Sequence, residues 1–261
     1  MSGLPAKSAM IQIHGPDEVE LIRASARIVG QCLLMLSREV RPGVSTLDLD
    51  RLAEAFIRDS GGEPAFKGYR GFPASICASI NEEVVHGIPS AKRILREGDI
   101  VSLDIGVKRE GFFGDAARTF PIGEVSSTAS RLLDATEHAL TAGIAQARPG
   151  NRVSDISAAI EREVTRHRFR VVRALVGHGI GRELHEEPQV PNYGRMGEGP
   201  KLKEGMVLAI EPMVNAGTAE VLTLSDQWTV VTADRSLSAH FEHTVAIGAE
   251  GPVNLSKIEA D

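Results

Sequence analysis

Four carboxylates set in apolar runs, and three histidines beside or near glycines, are the side chains of this sequence best suited to chemistry. Asp104 stands in the run VSLDI and Glu211 in LAIEPM. A buried, unpaired carboxylate is costly, so each needs a cation, a proton or strong donors. Asp115 follows Asp104 by eleven residues, a spacing that a hairpin can fold back, and Glu242 lies in the β-type run HFEHTVAI. His178 lies in GHGIG, His185 seven residues further on, and His86 in VVHGIP. Glycines beside a histidine let the backbone approach a ligand closely. Four carboxylates and an imidazole make a hard, oxygen-rich donor set that suits manganese, iron(II), cobalt(II) or zinc. Such a set fits two ions sharing bridging carboxylates, which at about 3.5–4 Å apart lower the pKa of a water and polarise a carbonyl. The chemistry is hydrolysis of an amide, ester or phosphate. His240 and His243 flank Glu242 and read as supporting groups, whereas His14, His138 and His167 sit in polar contexts and read as surface.

The elements that must position these groups come in two similar sets. Arg41-Pro42-Gly43 recurs as Arg148-Pro149-Gly150, and EGDIVSLD, ending in Asp104, recurs as EGMVLAIE, ending in Glu211; both offsets are 107 residues. His86-Gly87-Ile88 recurs as His178-Gly179-Ile180 at an offset of 92, so one half contains a length change. The pattern predicts helices from Pro16 to about Val40, from a Ser45 or Thr46 cap to Gly61-Gly62, over Ser127–Ala147, and from Val153 to about Arg166. Strands are expected over Ser75–Ile80, Ile100–Val107, Phe112–Phe120, Val171–Val176, Met206–Val214, Trp228–Val231 and Phe241–Ile247. Two helix-helix-strand units predict one α+β domain of pseudo-twofold symmetry with the site between the halves. The domain spans 1–261, with loose ends near 1–15 and 250–261.

Composition narrows the alternatives. A net charge of -6 and only 4% aromatic residues argue against a nucleic-acid surface. No apolar stretch is long enough for a membrane span, and the N-terminus does not read as a signal peptide. Two widely spaced cysteines, Cys32 and Cys77, suit a reduced, cytoplasmic protein. Sharper motifs fail: GHGIG lacks the spacing of a dinucleotide loop, and His185-Glu186-Glu187 does not continue into a helical zinc-protease motif. The basic stretch Arg166–Arg173 alternates as one face of a strand does.

The segments NEEVVHGIP, SLDIGVKREGFFGD, GHGIGRELHEEPQVPNYG, AIEPMVNAG and DRSLSAHFEHT, in this order, resemble the type I methionine aminopeptidases, over about residues 12 to 250. The resemblance implies the "pita-bread" fold and the removal of N-terminal methionine from nascent peptides whose second residue is small, by a metal-activated bridging water. It implies two divalent ions (cobalt, manganese, iron(II) or zinc) held by Asp104, Asp115, His178, Glu211 and Glu242, with Asp115 and Glu242 bridging. Glu211 is implied to relay a proton, His86 to exchange one near the scissile amide, and His185 to hydrogen-bond the scissile carbonyl. The methionine pocket is implied to be Phe66, Tyr69, Phe72, Cys77, Leu184 and Trp228. Peptides and nascent chains, met at the ribosome, are the expected partners, with no nucleic-acid recognition and no membrane; a monomer is expected.

Four positions depart from the family pattern. Arg70 and Phe113 stand where histidine is common, Val85 where cysteine is, and Gly106 where threonine is. These touch the pocket rim, substrate preference and metal affinity, and none is an expected ligand. The competing readings are a proline-specific peptidase of the same fold, a non-catalytic member, and a dinuclear phosphoesterase. The first usually carries an extra N-terminal domain for which 261 residues leave no room. The second conflicts with five filled ligand positions, and the third lacks a basic phosphate clamp.

Overall fold

A computed structural model describes residues 10–257. The first half contains α1 (Pro16–Leu36), α2 (Thr46–Asp59), β1 (Glu63–Pro64), β2 (Ile76–Ile80), β3 (Glu83–Val85), β4 (Ile100–Arg109) and β5 (Phe112–Pro121). The second contains α3 (Ser127–Gln146), α4 (Val153–Arg166), β6 (Arg170–Val171), β7 (Val176–Gly179), β8 (Glu186–Pro191), β9 (Val207–Ile210) and β10 (Met213–Asn215). It continues through β11 (Val221–Thr223), β12 (Val230–Thr232), β13 (Ser238–His240), β14 (His243–Gly248) and β15 (Gly251–Asn254). No described helix is long and apolar enough to cross a membrane.

The helices begin where their caps dictate. Ser45 accepts the Asp48 N–H at the start of α2, and Ser126 accepts that of Ala129 at the start of α3. Helix α1 stops at Leu36 rather than near Val40: past it the chain tightens into turns, with Arg38 N–H donating to Met35 O and Glu39 N–H to Leu36 O, and then enters the Arg-Pro-Gly turn. There Gly43 adopts φ +91°, as Gly150 does in the second copy. The duplication extends to individual hydrogen bonds. Gly43 N–H donates to Leu95 O and Gly150 N–H to Leu202 O; Thr46 N–H donates to Arg93 O and Val153 N–H to Pro200 O. Every atom of the first pair recurs 107 residues later, so the expected pseudo-symmetry is present at the level of the backbone.

Each helix pair covers one antiparallel sheet. In the first half β4 pairs with β5 on one edge and with β1 and β2 on the other; in the second the order is β15-β14-β9-β7-β8. Leu36, Leu49 and Ile57 from α1 and α2 are fully buried against Ile76, Leu103 and Ile105. Leu132, Ile156 and Ile160 from α3 and α4 are buried against Leu208, Ile210 and Val245. Each such side chain stabilises the fold by about 1.5–3 kcal/mol. Of two small sheets, one (β13-β10-β6) belongs wholly to the second half, and the other (β11-β12-β3) joins the halves by pairing β12 with β3 so that Val230 faces Val85.

Three expected strands are interrupted. Val171–Val176 splits into β6 and β7 because its ends pair in different sheets. Met206–Val214 breaks at Glu211-Pro212, where proline has no N–H for the ladder, and Phe241–Ile247 has its regular start only at His243. The expectations for the ends are also revised. Residues 1–9 and 258–261 lie outside the described residues. Within the described part, Gly251–Asn254 is not loose but forms β15 on β14. His14 is buried rather than superficial: its ring lies 3.4 Å from Glu18 and 3.6 Å from Glu186, and its N–H donates to Gly205 O.

Candidate metal centre

Strand alternation places the acids. Asp104 stands opposite Ala117 and Asp115 opposite Gly106 on the paired β4 and β5, so both side chains leave one face of the first sheet. In the second sheet His178 stands opposite Ala209, and Ala209 opposite Thr244. Glu211 and Glu242 lie two residues beyond those positions, on the same face, just where the ladder stops. Gly177 permits this packing, since an added methyl would collide with the Ala209 carbonyl.

The two faces are stitched across the pseudo-symmetry axis. Glu242 N–H donates to Ala117 O at 2.9 Å, and Asp115 N–H donates to Thr244 Oγ1 at 2.9 Å. The Thr244 hydroxyl returns a bond to Asp115 O at 2.7 Å. As a result one ligand atom each from Asp115, His178 and Glu242 lies within 4.8 Å of the other two. His178 Nε2 is 3.5 Å from Glu211 Oε1, and Asp104 lines the same cavity.

The electrostatics call for positive charge. Asp104 Oδ1, Asp115 Oδ1 and Glu242 Oε1 are buried without a hydrogen-bond partner, a state that groups of this kind rarely adopt unless they bind protons or cations. Burial pushes Asp104 up to about 6 and Glu211 up to about 7, and it carries Asp115 and Glu242 well above the usual carboxylate range. A divalent cation would replace those protons, so the residues fit a metal. His178 is set for ligation: its Nδ1 lies 2.9 Å from Gly179 O, an acceptor only, so Nδ1 carries the proton and Nε2 presents a lone pair.

The residues expected around this centre line one cavity of about 160 Å³ with it: Phe66, Tyr69, Phe72, Cys77, His86, Leu184, His185 and Trp228. Trp228 meets the edge of Phe72 at 5.1 Å between centroids, and the pairing of β12 with β3 brings it beside His86. The Tyr69 hydroxyl and His185 Nδ1 are 2.8 Å apart. Burial lowers His86 to about 4 and His185 to about 3, so both are neutral imidazoles near pH 7. A larger cavity of about 440 Å³ between α1 and α3 has Glu137 as its only acid, so chemistry rather than size selects the site.

The departures acquire structural reasons. Gly106 leaves room for Phe66, whose Cε1 would lie 2.5 Å from an added Cβ. Val85 packs with Val172, Met213 and Val230 in a small apolar cluster. Phe113 is buried, with the Lys108 ammonium over its ring at 5.2 Å. Arg70 is part of the cavity wall, in left-handed backbone at φ +48°. Two contributors escaped the sequence reading. Asn192 donates to Glu211 O at 3.0 Å, and Thr244 holds Asp115 by its backbone. Neither has a signal in spacing, since both act across the fold. Cys32 and Cys77 are unbridged and buried, the first in the helix–sheet core and the second in the cavity.

Comparison with known proteins shows which family the chain resembles in sequence and fold. The model of metallopeptidase family M24 matches residues 20–249. The methionine aminopeptidase of Clostridium acetobutylicum is 56% identical over 250 residues, which cover 96% of this chain and 100% of the relative. Methionine aminopeptidase 1 of Bacillus subtilis is 52% identical over 249 residues, covering 95% and 100%. The crystal structure of methionine aminopeptidase from Thermotoga maritima superposes with a TM-score of 0.94 at 42% identity, covering 95% of this chain and 100% of that one.

Proposed function

The chain belongs to metallopeptidase family M24 and is a metal-dependent aminopeptidase that removes N-terminal methionine from peptides, and on that footing we propose how its residues divide the work. Asp104, Asp115, His178, Glu211 and Glu242 would hold two divalent ions. The carrying observation is the trio of partnerless buried oxygens on Asp104, Asp115 and Glu242, gathered beside the lone pair of His178. The donor set suits manganese, iron(II), cobalt(II) or zinc. Ions bound there supply Lewis-acid polarisation of the scissile carbonyl and lower the pKa of the attacking water.

The remaining roles follow from protonation. Glu211, whose carboxylate lies 3.5 Å from His178 Nε2 in the wall of the cavity, takes a proton from the attacking water and delivers it to the departing amine as the C–N bond breaks. The products are free methionine and a peptide with a new amino terminus. His185 is neutral and pairs through Nδ1 with the Tyr69 hydroxyl; in the tautomer protonated at Nε2 it donates to the carbonyl oxygen and stabilises negative charge there. His86, also neutral, lies at the scissile amide and exchanges a hydrogen bond with its nitrogen.

Phe66, Tyr69, Phe72, Cys77, Leu184 and Trp228 enclose the methionine side chain, whose thioether gains from aromatic contacts. A bulky second residue would push the amide away from attack, and a misplacement of about 1 Å can cost 100-fold. We accordingly place small residues at that position. Nascent chains in the cytoplasm, met at the ribosome by a single-domain monomer, fit this preference.

The test is methionine release by the metal-loaded enzyme from Met-Ser-Gly, Met-Lys-Gly, formyl-Met-Ser-Gly and Leu-Ser-Gly. Only the first should be cleaved rapidly. Equal rates on the leucine peptide would overturn the methionine pocket, equal rates on the lysine peptide would overturn the small second residue, and rapid cleavage of the formylated peptide would show that the site does not select a free amino terminus, as an aminopeptidase must.

A further inference from the structure

The helix pair of the second half carries a cluster that the catalytic site does not use. His138 on α3, Glu163 in the last turn of α4 and His167, which caps the C-terminus of α4, each offer one ligand atom, and these lie within 4.8 Å of one another. His167 Nε2 is 3.1 Å from Glu163 Oε1, one helical turn away, and the two imidazole centroids are 6.4 Å apart at 37°. Gly143 lets the helices approach closely here, since a Cβ at that position would lie 2.7 Å from Ile160 Cγ1. The helix backbones under His138 and Glu163 are therefore held together, with His167 directly at the end of α4, and sites on packed helices keep their geometry better than sites on loops. An ordinary i,i+4 hydrogen bond accounts for Glu163 and His167 but not for the convergence of His138 across the helix boundary. The corresponding pair α1 and α2 contains no histidine, so the cluster is not a by-product of the duplication.

We propose that His138, Glu163 and His167 form a second, outer site for one zinc-class ion that bridges α3 and α4. Two imidazoles and one carboxylate match zinc, nickel or copper(II) better than manganese or magnesium, which prefer all-oxygen sets. Zinc bonds of about 2.0–2.2 Å require only rotamer adjustment from the present spacing, because His138 is exposed and the other two are half-buried. That exposure leaves a coordination position for water and makes the site weaker than the buried one. Arg166, 3.7 Å from Glu163 Oε2, competes for the carboxylate and weakens it further.

Because zinc also suits the catalytic donor set, the outer site is read from the difference in zinc count between parent and variants. Enzyme saturated with manganese is dialysed against graded zinc chloride, and bound zinc and manganese are counted per chain for the parent, for His138→Ala/His167→Ala and for Glu163→Gln. The parent should bind one more zinc than the double variant, while manganese content, circular dichroism and methionine release match. Zinc should also raise the melting temperature of the parent more than that of the double variant, because the ion binds across a helix pair that exists only in the folded state. Glu163→Gln should need higher zinc for the same occupancy. Equal zinc counts and equal thermal shifts in parent and double variant would overturn the site. Unchanged zinc affinity in Glu163→Gln would overturn the three-ligand assignment.

Discussion

At the scale of single residues, the two cavity histidines of the second half are adjacent yet suited to different work. Their ring centroids are only 4.3 Å apart. His178 has its proton fixed on Nδ1 by Gly179 O and turns a lone pair to the acids, whereas His185 is tied through Nδ1 to Tyr69. Removing each should therefore give distinct losses. His178→Ala should lose bound metal and with it activity. His185→Ala should keep its metal while turnover falls roughly 100-fold, the scale for one donor to a developing oxyanion. Metal counts and kcat for the two variants check this, and equal metal loss in both would contradict the division.

Elements are joined at the site by side chains with no chemistry of their own. Thr244 on β14 exchanges two hydrogen bonds with the backbone of Asp115 on β5, and Thr119 does the same for His240. These bonds lock the register between the halves, so Asp115 and Glu242 are set opposite each other by a threonine that touches no substrate. Thr244→Val should leave the Asp115 N–H and C=O unpaired in a buried seam, at a cost of about 1–3 kcal/mol. Thr244→Ser should restore most of it. Urea midpoints and metal affinity should move together in this series. A valine variant as stable as the parent would show that the seam is held by packing alone.

For the molecule as a whole, the acid cluster opposes folding until it is neutralised. Burial raises Asp104 from 3.8 to about 6 and Glu211 from 4.5 to about 7. In metal-free protein the folded state then binds more protons than the unfolded chain between about pH 4 and 7, and the cluster's contribution to stability declines as pH rises through that window. His86 and His185, lowered from 6.5 to about 4 and about 3, act in the opposite sense over the acidic part of the range. Comparing Asp104→Asn with the parent at each pH cancels the histidines. In a chelator, the advantage of the variant should grow from about pH 4 to about pH 6 in urea unfolding and level off above it. Adding divalent metal should reverse the order, because the ion needs the charge that asparagine lacks. A pH-independent difference without metal would mean that the cluster does not hold these protons.

Much of this protein can be read along the chain because its information is local or periodic. The caps at Ser45 and Ser126, the Arg-Pro-Gly turns and the two apolar runs ending in Asp104 and Glu211 are each written in a few consecutive residues. The duplication adds a constant offset of 107, which relates the two halves without any structure. Acids inside apolar strands declare themselves by their cost, so the cluster is legible before its geometry is known. The break in the strand before His243, the burial of His14, the grip of Thr244 on Asp115 and the meeting of His138 with His167 are not legible in that way. Each depends on which elements pack against which, a matter of long-range packing that no local propensity encodes. The sequence by itself determined which residues must be neutralised; the tertiary structure alone decided that they are neutralised together, because only closure of the two sheets brings their charges within reach of one centre.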